Sequence, residues 1–149
     1  MKINRAASIT LLLISIVQWA QSEVYSFRHY KVEDGLSFNA TRNIIQDRNG
    51  FIWIGTEDCL NRFDGYNFKI YRNSSTGMDN LASNYISALL QGNQELIYVG
   101  TDQGISTFNP LNEKFTRFTA KTRNNVGVTR EVNNMIEDQN GNIWISTYG

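Results

Sequence analysis

The sequence is poor in the residues that build special sites. Its 149 residues include one cysteine, one histidine and one proline. A single cysteine cannot form an intramolecular disulfide, and one histidine with one cysteine cannot build a zinc site. The single proline excludes a proline-rich or collagen-like chain. A packed core must therefore hold the fold together, and we expect neither a metal nor a cofactor.

Clustered positive charge is also missing. The chain has 14 basic and 14 acidic residues, and the basic residues are spread among the acids without a run. A surface that binds phosphates needs clustered lysine and arginine. We therefore expect no nucleic-acid partner for this chain.

No apolar run is long enough to cross a membrane. The apolar segment at residues 6–17 has 12 residues, whereas a spanning helix needs roughly 20. Lys2 and Arg5 precede this segment, and Ala20 and Ser22 follow it in the pattern of a cleavage site. This order is typical of a signal peptide at residues 1–22, and it predicts an exported chain from residue 23 onward.

Turn-forming residues are abundant. The sequence contains 18 asparagines and 11 glycines, and 12% of its residues are aromatic. Asparagine and glycine favour tight turns, so many short elements joined by turns are expected. This composition predicts an all-β fold.

Three segments of the chain resemble one another. They lie at residues 43–71, 88–118 and 133–149, and Trp53, Tyr98 and Trp144 occupy equivalent places, 45 and 46 residues apart. A period of about 45 residues is typical of a four-stranded propeller blade.

The first copy predicts four strands, at residues 43–46, 51–56, 60–64 and 68–71, with a hairpin turn at Asn49-Gly50. The second copy repeats this pattern, and the third contains its first two strands. Residues 27–30 (FRHY) resemble the fourth strands, so we expect a stray outer strand of a closing blade at 25–30. The aromatic residues at the equivalent places, Trp53, Tyr98 and Trp144, are expected to be buried between blades.

The prediction is thus an all-β partial β-propeller, with about two complete four-stranded blades and an incomplete third. The repeats fall at about residues 41–72, 86–118 and 132–149. Closed propellers have roughly four to eight blades, so we interpret the chain as the N-terminal fragment of a larger propeller. The alternative is a short solenoid of three sheets, which would expose two apolar faces.

Residues 32–71 and 135–149 carry the pattern D-x-x-G-x-I-W-I-G-T or a close variant, and they resemble the two-component regulator propeller repeat. The second copy departs from it, with Gly92 in place of Asp, Glu95 in place of Gly and Tyr98 in place of Trp, which leaves its first turn in doubt. Cys59 stands where the second copy has Gly104. Cys59 is therefore expected to have a backbone that favours positive φ, and no redox role.

The resemblance implies a function in signalling. Proteins with this repeat are hybrid two-component receptors whose propellers lie on the periplasmic side of the cytoplasmic membrane and sense oligosaccharides. It implies an oligosaccharide ligand and a homodimer for the full receptor, and a histidine kinase outside this chain. The chain itself is expected to be no enzyme, and to meet the membrane only through its export signal or downstream regions.

The expected ligand site is the rim formed by the loops after each second strand and the starts of the first strands. Arg42, Tyr85 and Arg130 are the foremost candidates to contact an oligosaccharide. The full set of candidates is Arg42, Asn43, Glu57, Asp58, Asn84, Tyr85, Asp102, Gln103, Arg130 and Asn133.

Two other functions remain open from the sequence. A propeller enzyme, such as a lyase or sialidase, is one, because Asp47 and Asp138 each precede a tryptophan by six residues; this is one residue longer than the sialidase Asp-box. We expect these two carboxylates to close hairpins by accepting backbone N–H bonds instead. A protein-docking propeller that binds no glycan is the other alternative. His29 is expected to be a surface residue.

Overall fold

The computed structural model describes residues 25–74, 80–118 and 130–148, so the predicted signal peptide lies outside the described residues. Within them the chain forms three antiparallel sheets in sequence order. The first sheet is β1 (Thr41–Gln46), β2 (Ile52–Thr56), β3 (Leu60–Phe63) and β4 (Phe68–Tyr71); the second is β5 (Ile86–Gln91), β6 (Ile97–Thr101), β7 (Gly104–Asn109) and β8 (Lys114–Arg117); the third is β9 (Val132–Glu137) and β10 (Ile143–Thr147).

Each sheet is a meander in which every strand pairs with the next one along the chain. A short 3-10 helix, Val32–Asp34, precedes β1. The predicted all-β class and the strands predicted within the three copies are therefore present. No helix among the described residues is long and apolar enough to cross a membrane.

The first hairpin of the first sheet is built around Asp47. Its Oδ1 accepts the backbone N–H groups of Asn49 and Phe51 at 2.9 and 3.0 Å, and its Oδ2 accepts the indole N–H of Trp53 at 2.7 Å. Asp138 makes the same bonds in the third sheet, and its Oδ2 lies 2.9 Å from the indole nitrogen of Trp144. The expected structural role of both carboxylates is confirmed. The hydrogen bond from the indole also explains why six residues separate each of these aspartates from its tryptophan.

The second sheet makes the same turn without the carboxylate. The N–H of Gly92 donates to the carbonyl of Leu96, and the N–H of Glu95 donates to that of Gly92. Glu95 takes the positive φ of 63° that a glycine takes in the other two turns. A Cβ on residue 92 would lie 2.7 Å from the ring of Tyr98, so this tyrosine leaves no room for an aspartate. The departures in the second copy therefore do not change the turn.

Apolar side chains pack between neighbouring sheets. The ring of Trp53 lies 5.0 Å from that of Phe108 across the first pair of sheets, and both residues are fully buried. The second and third sheets meet through Ala88, Val132 and Met135. These layers form the core of the described residues.

The sheets approach most closely at two glycines. A Cβ on Gly55 would lie 2.6 Å from Ile86, and a Cβ on Gly100 would lie 2.8 Å from Val132. In the first and second sheets, the residue just before the last threonine of the second strand is therefore a glycine, because the next sheet packs against that position.

The expectation that all three repeated aromatic residues are buried is wrong for Trp144. Trp53 is buried and Tyr98 is half-buried, but the side chain of Trp144 is 64% exposed. The reason is its place in the order of sheets, because no sheet among the described residues packs on the far face of the third one. The far face of the first sheet is open in the same way, and Ile44 there is 69% exposed.

The outer strand expected at residues 25–30 is not formed in the structure. A strand needs a hydrogen-bonded neighbour, and the described residues provide none beside this segment. Tyr30 instead packs on Phe63 and Phe68, with ring centroids 4.9 and 5.7 Å apart. His29 is exposed, as expected.

Candidate ligand-binding rim

The strand register brings all ten candidate residues to one rim. Thr41 pairs with Thr56, Ile86 with Thr101, and Val132 with Thr147, so each first strand begins where its second strand ends. The loops that follow the second strands lie at this end of each sheet. The turns of Asp47 and Asp138 lie at the opposite end.

Buried threonines shape the loops of this rim. The Oγ1 of Thr56 donates to the carbonyl of Cys59 and accepts the N–H of Asp58. Thr101 makes the equivalent bonds with Gly104 and Gln103. Cys59 has a φ of 97° and Gly104 one of 107°, so the expected positive φ at Cys59 is confirmed. These bonds from buried threonines therefore hold the backbone of both loops in place.

Three of the candidate residues lie together across the first two sheets. A guanidinium nitrogen of Arg42 lies 2.6 Å from Oε1 of Glu57, and the same guanidinium lies 5.0 Å from the ring centroid of Tyr85. The hydrogen bond with Glu57 raises the pKa of Arg42, with smaller contributions from Tyr85 and Glu131. We call Arg42, Glu57 and Tyr85 the rim cluster.

Three other candidates make hydrogen bonds or ion pairs with other parts of the chain. Asn43 donates to the carbonyl of Ser87 at 2.7 Å and so links the first two sheets. The side-chain oxygen of Asn84 accepts the N–H of Asn73 at 2.6 Å. Asp58 forms an ion pair with Arg72 at 3.0 Å, away from the rim cluster.

The remaining four candidates present exposed side chains on the same rim; they are Asp102, Gln103, Arg130 and Asn133. The sequence reasoning missed Glu131 and Tyr148. Glu131 is equivalent to Tyr85 in the repeat, and Tyr148 is equivalent to Glu57. The N–H of Tyr148 donates to the carbonyl of Glu131 at 3.1 Å, as the N–H of Glu57 does to that of Ala40. Aligning the three repeats would have identified Glu131 and Tyr148.

The rim combines charged, amide and aromatic groups. Carboxylates, guanidinium groups and amides can hydrogen-bond several hydroxyl groups, and the face of a tyrosine ring can stack on an apolar sugar face. Within the described residues, no group of three or more histidine, cysteine, aspartate or glutamate side chains lies close enough to hold a metal ion. The groups on this rim are of the kinds that can hydrogen-bond a polar molecule.

Comparison with known proteins agrees with the repeats seen in the structure. The sequence model of the two-component regulator propeller matches residues 35–58 and 128–149. A histidine kinase of Formosa agariphila, Histidine kinase P4, is 42% identical over 66 residues. Those residues are 44% of this chain and 5% of that protein.

Solved structures match a larger part of the chain. The extracellular domain of BT3049 from B. thetaiotaomicron, named as a proposed hybrid two-component system, superposes with a TM-score of 0.72 and 26% identity. The match covers 81% of this chain and 17% of that domain. A second extracellular domain from the same organism, that of BT4673, matches in fold with a TM-score of 0.67 and 22% identity, over 85% of this chain and 18% of that domain. The chain thus spans under a fifth of the length of these relatives.

Proposed function

We propose, from the premise that residues 35–58 and 128–149 are two-component regulator propeller repeats, that the chain is part of a sensor propeller. The parent protein is a transmembrane hybrid two-component receptor, and this part lies on the periplasmic side of the cytoplasmic membrane. The observation that carries the proposal is the match of 81% of the chain to an extracellular domain of that receptor type. No catalytic domain is evident in the chain, and the histidine kinase belongs to another part of the receptor.

The ligand of the full receptor is an oligosaccharide that contacts this rim. The rim cluster supports this assignment, since Arg42 and Glu57 together offer both donors and acceptors beside the ring of Tyr85. Arg130 lies at the equivalent rim of the third sheet and is exposed. A sugar with several hydroxyl groups can use all three kinds of group at once.

Signal transfer requires the ligand to bind one state of the receptor more tightly than the other. In a homodimer of receptors, the two propellers can adopt two arrangements, and these arrangements are the two states. The chain's own contribution is binding at the rim, and no bond in the ligand is broken there.

The test is calorimetric titration of the complete extracellular region with oligosaccharides prepared from laminarin, xylan and pectin. Arg42→Ala, Tyr85→Ala and Arg130→Ala should each weaken the binding seen in the wild type about tenfold, which corresponds to 1.4 kcal/mol. Lys114→Ala is the matched control, because Lys114 is exposed at the opposite rim.

These variants should remain folded. The Arg42 and Glu57 side chains are 46% and 38% exposed, and an exposed ion pair contributes little to stability. Unchanged affinity in all three variants would remove this rim as the site. Failure of the wild type to bind any of the glycans would instead favour a protein-docking propeller.

A further inference from the structure

The guanidinium of Arg42, which is the cation of the rim cluster, is already bound to a carboxylate. One of its nitrogens lies 2.6 Å from Oε1 of Glu57, and its central carbon lies 5.0 Å from the ring centroid of Tyr85. A guanidinium binds an acidic ligand best when two parallel N–H groups are free to meet both oxygens of a carboxylate. Because Glu57 takes up part of that capacity, the rim cluster is not built as a receptor for an anion.

A second carboxylate adds to the negative charge around Arg42. The hydrogen bond to Glu57 is the main cause of the raised pKa of Arg42, and the charge of Glu131 raises this pKa further. Glu131 directly precedes β9, and its carbonyl accepts the N–H of Tyr148 at 3.1 Å. One guanidinium therefore lies in the field of two carboxylates, and this part of the rim has a net negative charge.

The other two arginines near this end of the sheets do not reverse that charge. Arg72 follows β4, and its Nη1 lies 3.0 and 3.2 Å from the two carboxylate oxygens of Asp58, so its charge is paired. Arg130 is exposed and directly precedes Glu131 in the chain. An acidic group that approached Arg130 would therefore also come near the carboxylate of Glu131.

The bonding capacity that remains on the ion pair suits hydroxyl groups. The side chains of Arg42 and Glu57 are 46% and 38% exposed. A guanidinium has five N–H donors and a carboxylate has two acceptor oxygens, whereas the bond between them uses one donor and Oε1. A hydroxyl group can donate to the carboxylate and accept from the guanidinium. Neighbouring hydroxyl groups of an uncharged sugar can thus bind both partners without separating them.

A ligand that carries a carboxylate or a sulfate would have to compete with Glu57 for Arg42. The backbone at Glu57 is fixed, because its N–H donates to the carbonyl of Ala40 at 3.1 Å. A displaced Glu57 side chain would stay close to the incoming anion, and like charges placed side by side disfavour binding. An uncharged ligand keeps the ion pair and avoids this repulsion.

We propose that the rim cluster selects uncharged oligosaccharides over those that carry uronate or sulfate groups, and that Glu57 is the residue that sets this preference. The proposal rests on the oligosaccharide-sensing function proposed above, and it narrows the class of ligand. Arg42 acts in it as a hydrogen-bond donor to hydroxyl groups and as the partner that orients Glu57.

The test is calorimetric titration of the complete extracellular region with two kinds of oligosaccharide. Laminari-oligosaccharides and unsubstituted xylo-oligosaccharides are uncharged, and oligogalacturonides of similar length are acidic. The wild type should bind an uncharged ligand at least about tenfold more tightly than the acidic one. Its affinity for the uncharged ligand should change less than about twofold between about 50 mM and about 500 mM sodium chloride, because no charge on the ligand is screened.

Glu57→Gln tests the residue itself. It should weaken binding of the uncharged ligand about tenfold and narrow the preference over the acidic ligand, because a repelling charge is removed. Glu95→Gln is the matched control, since it makes the same change of charge at an exposed residue in the β5–β6 turn of the opposite rim. It should leave both affinities unchanged.

Two outcomes would overturn the proposal while leaving the oligosaccharide-sensing function in place. One is tighter binding of the oligogalacturonide by the wild type, with an affinity that falls as salt is added. The other is an uncharged ligand whose affinity is the same in the wild type and in Glu57→Gln. A wild type that binds none of these oligosaccharides would instead overturn the sensing function, and this proposal with it. Circular dichroism of Glu57→Gln checks the fold.

Discussion

The backbone N–H of Asn93 in the second sheet donates to Oε2 of Glu137 in the third sheet at 2.8 Å. The first and second sheets are joined in the same way, where the N–H of Arg48 donates to Oε1 of Gln91 at 3.1 Å. Gln91 and Glu137 both end the first strand of their sheets. The second and third repeats therefore each supply one side-chain acceptor that binds their sheet to the one before it, at the rim opposite the candidate ligand site.

Removal of this acceptor should loosen the third sheet. Glu137→Ala is expected to lower the free energy of unfolding by about 1 kcal/mol, the usual net contribution of one hydrogen bond. Glu137→Gln should have a much smaller effect, since glutamine performs this role at position 91. Urea denaturation of both variants checks the prediction, and an equal loss in the two would show that the charge matters and the acceptor does not.

Trp53 and Trp144 should respond differently to truncation although their sequence contexts are nearly the same. Trp53→Ala is expected to cost about 3 to 5 kcal/mol of unfolding free energy, because a fully buried ring leaves a cavity. Trp144→Ala should cost about 1 kcal/mol, because the ring is mostly exposed and loses chiefly its bond to Asp138. Both free energies are measured by urea denaturation. Equal costs would contradict the order of sheets described here.

Much of this fold could be predicted from the sequence, because each repeat encodes its own hairpins. The Asp47 and Asn49-Gly50 turn and the short apolar run of β2 act over a few residues, so local patterns identify them. Whether Trp144 is buried or exposed could not be predicted in this way. Its exposure depends on whether another sheet lies beside it, and that information is not local.

The repeat predicts which loops share one end of the sheets, but it does not predict the contacts that the side chains on those loops make. The period of the repeat indicates which residues share an end of the sheets. It does not indicate that Asp58 pairs with Arg72, that Asn43 binds the second sheet, or that Asn84 binds Asn73 within the segment between β4 and β5. These contacts follow from three-dimensional distances between residues 11 to 44 positions apart.

Cys59 should tolerate glycine better than alanine. Its φ of 97° is unfavourable for any residue with a Cβ, and Gly104 occupies the equivalent place in the second sheet. Cys59→Gly should leave the unfolding free energy unchanged or raise it by up to about 1 kcal/mol. Cys59→Ala keeps the strained backbone and loses the buried sulfur, so it should lower stability. Thermal denaturation of the pair checks the difference.

The thiol of Cys59 should also be unreactive. Burial, together with a hydrogen bond to Asp58, raises its pKa to about 12, so the reactive thiolate is scarce at neutral pH. Alkylation by iodoacetamide should be much slower in the folded chain than after denaturation in urea. A dimer linked through Cys59 in non-reduced protein would contradict this prediction.

The carboxylate of Asp138 should make the stability of the third sheet depend on pH. The hydrogen bond from the indole of Trp144, followed by those from Asn142, lowers the pKa of Asp138 from 3.8 to about 2. The folded chain therefore binds the proton more weakly than the unfolded chain. The stabilisation is fully present above the unfolded pKa and is lost as the pH falls through 3.8 toward 2.

In Asp138→Asn the side chain carries no charge at any pH, so the difference in denaturation midpoint between wild type and variant should be constant above about pH 5 and shrink toward pH 2. Trp144→Phe removes the strongest of these hydrogen bonds, so in that background the pKa of the folded chain lies nearer 3.8, and the loss of stability at low pH should be smaller and complete at a higher pH. A difference that does not change with pH would show that the bonds to Asp138 do not favour its charged form.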